Sequence, residues 1–92
     1  MIVRIAGEDQ FRLDGEHESR LKDLDGAVLD AVENGDQAAF ERAFQELLAF
    51  VRASGTPLAE DALESSDLIL PPPDTTLTEA VEDFNGEGWL PD

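Results

Sequence analysis

Apolar and polar positions make residues 2 to 6 and 10 to 13 β-rich, with Val3 and Ile5 on one side of the first segment and Phe11 and Leu13 on one side of the second. A period of two marks a half-buried strand, and the intervening Gly7-Glu8-Asp9 supplies turn residues, so the chain opens on a predicted β-hairpin. Asp14-Gly15 ends it. From Glu16 or His17 the period lengthens to that of a helix: Leu21, Leu24, Val28, Ala31 and Val32 share one face, while Glu16 with Arg20 and Glu18 with Lys22 are i,i+4 pairs in the favourable order. Gly26 inside this helix costs roughly 1 kcal/mol relative to alanine and marks either a close approach by a neighbour or a weak point. Asn34-Gly35-Asp36 reads as a stop and a restart, with Gly35 as the left-handed residue after one helix and Asp36 as the N-cap of the next.

The second predicted helix runs from about Gln37 to Ser54 and places Phe40, Phe44, Leu47, Leu48 and Val51 on one face, with Ala39, Ala43 and Phe50 widening the apolar arc to roughly half the circumference. So short a link between two helices enforces an antiparallel helical hairpin. Gly55 ends the second helix, Arg52 sits near its negative end, and Thr56-Pro57 prevents continuation. Residues 56 to 66 form an acidic connection with some helix-forming character. Asp67-Leu68-Ile69-Leu70 reads as a short strand at a sheet edge, because Pro71-Pro72-Pro73 then offers no backbone donors. Thr76 and Glu79 have capping-box spacing and start a short third helix carrying Leu77, Ala80, Val81 and Phe84. Asn85-Gly86 stops it. The predicted class is α+β in one small domain over 1–92: a β-hairpin in 1–15, a helical hairpin in 16–55, and an acidic strand, polyproline stretch, short helix and tail in 56–92.

Charge changes the picture of what such a domain can bind. Six basic residues against 22 acids give a net charge of −16, and no base follows Arg52. The bases are spread singly, so direct binding to nucleic acid or anionic lipid is disfavoured. An acid-rich surface either stays solvated or meets a basic partner, and it also suits a salt-rich cytoplasm. There are no cysteines, which removes disulfides, thiolate metal sites and thiol nucleophiles together. The opening Met1-Ile2-Val3-Arg4-Ile5 lacks a signal peptide's basic and long apolar regions, and the longest apolar run is Leu47-Leu48-Ala49-Phe50-Val51. The expected location is the cytoplasm.

Candidate chemistry is sparse. His17 is the single histidine; it falls in an acidic first turn and reads as a surface residue without a serine partner. Asp23-Leu24-Asp25-Gly26 superficially matches part of a calcium loop, but Leu24 belongs to the apolar helix face, so solvated helix acids are the expected reading. Gly86-Glu87-Gly88 is not followed by the helix and lysine of a phosphate loop. No catalytic, metal or cofactor-binding residue is assigned, no cofactor is expected, and the chain is not expected to be an enzyme. What remains is apolar surface. The wide face of the second helix is ordinary core or in part a groove for a partner helix, the triproline is a stiff spacer or a ligand for an aromatic groove, and Trp89 with Leu90 either docks on the body or anchors a partner. The candidate partner contacts are Phe40, Phe44, Phe50, Trp89 and Leu90.

Three stretches then stand out as a set: Met1-Ile2-Val3-Arg4-Ile5 with Gly7-Glu8 and Gln10-Phe11, then Ser66-Asp67-Leu68-Ile69-Leu70-Pro71-Pro72-Pro73-Asp74 with Thr76-Leu77, and Glu87-Gly88-Trp89-Leu90-Pro91. Together they resemble the PspAA family, small PspA-associated proteins encoded beside PspA-like proteins or fused to them. The resemblance covers essentially the whole chain. It implies a place in the phage-shock type of envelope stress response, where PspA is a long helical, ESCRT-III-like protein that assembles on stressed membranes. By that resemblance the chain is a noncatalytic adaptor or regulator of a PspA-like coiled-coil protein, reaching the cytoplasmic face of the membrane only through that partner. The rival expectation, drawn from the acidic C-terminal segment, is an acidic mimic that occupies a basic nucleic-acid-binding surface.

Overall fold

The structure, a computed structural model, describes residues 1–58 and 65–83. Strands β1 (Ile2–Ile5) and β2 (Gln10–Arg12) form the expected antiparallel hairpin, with Val3 opposite Phe11. The turn is closed by the Glu8 N–H donating to the Ile5 carbonyl at 2.8 Å, and Gly7 takes φ +80°. That is the third position of a type II turn, where a side chain is poorly tolerated. A 3₁₀ turn over Gly15–His17 leads into helix α1 (Glu18–Asn34). There Glu16 lies 3.7 Å from His17 Nε2, in place of the expected partner Arg20.

Helix α1 ends in a Schellman motif: Gly35, at φ +64°, and Asp36 donate to the carbonyls of Val32 and Ala31 at 3.1 and 3.0 Å. Asp36 then caps helix α2 (Gln37–Ser54), its carboxylate accepting from the Ala39 N–H at 3.1 Å. One residue pair therefore ends one helix and begins the next, which fixes the antiparallel hairpin.

The chain leaves α2 directly into a strand. β3 (Thr56–Pro57) pairs antiparallel with β2, and β4 (Leu68–Leu70) pairs parallel with β1, giving the sheet order β3-β2-β1-β4. Strand β4 lies at the edge, as the prolines after it require. Strand β3 is a correction to the sequence reading, which treated Thr56-Pro57 only as the start of an acidic connection. Two residues carry no periodicity, and Pro57 reads as a breaker; it is accommodated because an edge strand needs no second row of donors. Helix α3 (Leu77–Asp83) starts on the predicted capping box: the Thr76 N–H donates to Glu79 Oε1 at 3.1 Å and the Glu79 N–H to Thr76 Oγ1 at 3.3 Å.

The architecture is α+β. One apolar cluster joins Val3, Ile5, Phe11, Leu68 and Leu70 of the sheet to Leu21, Leu24, Val28, Phe40, Phe44, Leu47, Leu48 and Val51 of the helices, with Ala80 of α3 fully buried beside them. The opposite face of the sheet is not simply solvated: Ile2 and Gln10 are also buried, and Gln10 Nε2 donates to Ser66 Oγ at 2.8 Å. Asp67 ties the start of β4 to the neighbouring β1, its carboxylate accepting from the Ile2 N–H at 2.7 Å.

Gly26 has no neighbour to accommodate. A Cβ added there meets no heavy atom within 4 Å, so the glycine is a weak point of α1 and not a contact. Gly26→Ala is expected to stabilise the fold by about 0.5–1 kcal/mol, read as a rise of about 2–8 °C in thermal midpoint. A fall in midpoint would refute this account of the helix.

Candidate partner-binding surface

The structure redistributes the expected contact residues. Phe40 and Phe44, one helical turn apart on α2, stack on each other with ring centroids 5.5 Å apart, and they are 0% and 1% exposed. Their face of α2 is covered by the chain's own sheet and first helix. This removes both rings from the set of surface anchors: the wide apolar arc is core, not a groove. Phe50 sits at the margin of the core, half-buried, where His17 meets it edge-on at 5.8 Å. His17 is thus partly packed, not merely a solvated residue. Trp89, Leu90 and Phe84 lie outside the described residues.

Among the described residues, one cluster gathers possible metal-ligating atoms. Carboxylate oxygens of Asp14 and Glu16 and a ring nitrogen of His17 lie within 4.8 Å of one another. The two acids are exposed, so water competes with them for any cation, and the edge-on contact with Phe50 already gives the imidazole a packing role. The best-formed ion pair is structural too. Arg52, in the last turn of α2, grips Glu8 of the β1–β2 turn through both carboxylate oxygens, Nε to Oε1 at 3.0 Å and Nη2 to Oε2 at 2.6 Å. The hydrogen bonds and charge of Glu8 hold the guanidinium's pKa above the ordinary arginine value. A raised basic pKa means that the guanidinium's contribution is intact at neutral pH and that, on the basic side, it is lost at extreme alkalinity. The pair is partly exposed, and its worth is correspondingly modest.

Among the described residues, a concave feature with polar walls lies elsewhere, between the N-terminal half of α2 and the turn that follows the triproline. It is a cleft of about 290 Å³ lined by Glu41, Phe44, Gln45 and the stretch from Pro73 to Thr76. The wall is built by hydrogen bonds. The Pro72 carbonyl accepts from both the N–H and the hydroxyl of Thr75, at 3.0 and 2.7 Å, which closes the turn, and Gln45 Nε2 reaches across from α2 to the Pro73 carbonyl at 3.1 Å. The triproline therefore leads into a turn that docks back on α2.

Residues 1–92 match the model of a family described as PspAA, PspA-Associated protein. The chain belongs to that family. No curated protein and no solved structure is significantly similar to it.

Two of the three stretches that carried the resemblance now have physical roles in this PspA-associated protein; the third, Glu87 to Pro91, lies outside the described residues. The opening stretch forms β1, the turn at Gly7 and the start of β2. In Asp67-Leu68-Ile69-Leu70 the aspartate clamps the sheet edge and the two leucines enter the core, while Ile69 points outward and is 61% exposed. Pro72, Pro73 and Asp74 make the turn that walls the cleft. Sequence reasoning found the cap after this turn but read the prolines as a polyproline stretch, and it missed both the turn and the fact that Glu41 and Gln45 face it. The spacing of Glu41 and Gln45 puts them one above the other on α2, yet nothing local says which distant segment they meet.

Proposed function

We propose that this protein is a noncatalytic adaptor or regulator that binds a PspA-like, ESCRT-III-like coiled-coil protein in the cytoplasm and tunes its assembly at the membrane's cytoplasmic face. The observation that carries the reading is the family match over the whole chain, to proteins described by their association with PspA. The physical character of the molecule supports it. A net charge of −16 opposes direct adsorption to anionic lipid, and no described helix is long and apolar enough to cross a membrane, so contact with the membrane runs through the partner.

The reading is tested by mixing the purified protein with its PspA-like partner and following co-elution by size-exclusion chromatography with light scattering, at low and at high salt. Co-elution is expected at low salt, with weakening as salt screens the acidic surface. Failure to co-elute at any ionic strength would overturn the adaptor role. Capture of a nucleic-acid-binding protein in place of the PspA-like one would favour the acidic-mimic alternative.

A further inference from the structure

We infer that the cleft between α2 and the Pro72–Thr76 turn receives a basic side chain, lysine or arginine, presented by the partner protein. The inference rests on the adaptor reading above and gives it a place and a chemistry.

The charge and the excess of acceptors in the cleft favour such a guest. Most of its donors are already used inside the protein: one N–H of Gln45 Nε2 on the Pro73 carbonyl, the Thr75 hydroxyl on the Pro72 carbonyl and the Thr76 hydroxyl on Glu79 Oε1 at 3.0 Å. The backbone N–H groups of Thr75 and Thr76 are used in the same way, and Pro73 has none, which leaves the second N–H of the Gln45 amide and the Asp74 N–H. Acceptors outnumber these: the carboxylates of Glu41 and Asp74 and the amide oxygen of Gln45. Gln37 donates one long hydrogen bond, 3.3 Å, to Glu41 Oε1, which leaves the other oxygen available. An ammonium or guanidinium carries donors only and complements these acceptors, whereas a carboxylate or phosphate would meet two carboxylates and no positive charge.

Charge and shape agree. Both ionisable lining residues are acids, and the base next in sequence, Arg42, is not among the lining. Glu79 stands behind Thr76 and answers the first turn of α3 from within, so the helix start does not draw an anion. Pro73 gives the cleft an apolar flank, matched to the methylene stem of a long basic side chain whose charged end stays at the acidic rim; the Phe44 ring lies beneath, almost fully buried. At about 290 Å³ the space falls at the low end of small-ligand sites, enough for one side chain and not for a folded segment.

The test uses the full chain in two arms. In the first, the ¹⁵N-labelled protein is titrated with N-acetyl-arginine amide and, separately, with the uncharged isostere N-acetyl-citrulline amide. Saturable shifts are expected at the Gln45 side-chain amide and the Thr75 and Thr76 N–H groups with the arginine compound only, and they should vanish in the double variant E41Q/D74N. No localised shift, or the same shift with citrulline, overturns the inference whatever the partner does. In the second arm, affinity for the PspA-like protein is compared between wild type, E41Q/D74N and a control, D23N/D30N, that removes the same charge from exposed positions of α1. The cleft variant is expected to bind about 30-fold more weakly, equivalent to about 2 kcal/mol, and the control within about twofold of wild type on the scale of rim charges. Equal losses in the two variants, or none in E41Q/D74N, overturn the inference while leaving the adaptor reading intact. A wild-type protein that ignores the partner yet shows the arginine-specific shifts defeats the adaptor reading and leaves the cleft's chemistry standing.

Discussion

Phe40→Ala is expected to destabilise the protein by about 3–5 kcal/mol. The ring is fully buried, stacks on Phe44 and belongs to the cluster that ties the helical hairpin to the sheet. Its removal loses both the transfer free energy of the ring and the contacts around the cavity left behind, because close-packed neighbours relax only in part. A domain of this size has a total stability of roughly 5–14 kcal/mol, so the loss is a large fraction of the whole. Chemical denaturation should show the midpoint falling with little change in slope, and the thermal midpoint should drop by at least about 12 °C. The experiment also separates core from contact. Under conditions where circular dichroism shows the variant still folded, its affinity for a PspA-like partner should match wild type within about twofold, the scale of an energetically neutral position. A folded Phe40→Ala protein that has lost its partner would restore the ring to the contact set.

Gly55→Ala is expected to destabilise by about 1–3 kcal/mol, although it adds a single methyl group. Gly55 has φ −82° and ψ 152°, an extended backbone open to any residue. Conformational freedom is therefore not the reason for glycine. The reason is space: a Cβ there would lie 2.7 Å from Phe11 Cβ and 2.7 Å from the Val51 carbonyl oxygen. Phe11 Cβ is fixed to the β2 backbone and the carbonyl is backbone itself, so no rotamer change relieves the contact. Either the end of α2 or the β2–β3 pairing must shift. Equilibrium denaturation of Gly55→Ala beside Gly26→Ala should give changes of opposite sign, and a neutral Gly55→Ala would show that α2 enters the sheet with more room than the structure gives it.

The two glycines show where sequence reasoning reaches and where it stops. Both stand out by composition alone, and for Gly26 the two physical readings, contact or weak point, could be written down but not chosen between. Choosing required knowing what lies beside each Cα. The same holds for the aromatic arc of α2. Its width was legible from a 3.6-residue period, but core and groove look alike in one dimension, and only the sheet packed across it decides that Phe40 and Phe44 are interior. In the cleft, Thr76 with Glu79 was readable because a capping box is closed within four residues. The hydrogen bond from Gln45 to Pro73 spans 28 residues and the Arg52–Glu8 pair spans 44, and neither leaves a local trace.

By itself the sequence determined the hairpin, the helix boundaries at Gly35 and Asp36, the edge strand before the prolines, the cap of α3, the α+β class and the family. Each follows from periodicity, turn chemistry or charge acting over a few neighbouring residues. Tertiary structure alone decided the parallel pairing of β4 with β1, the existence of β3, the close approach at Gly55 and the acceptor-lined cleft. Those features depend on which distant segments share the core once the chain has closed its long loops. That choice is made by the summed packing of the whole cluster, not by any segment's own preference.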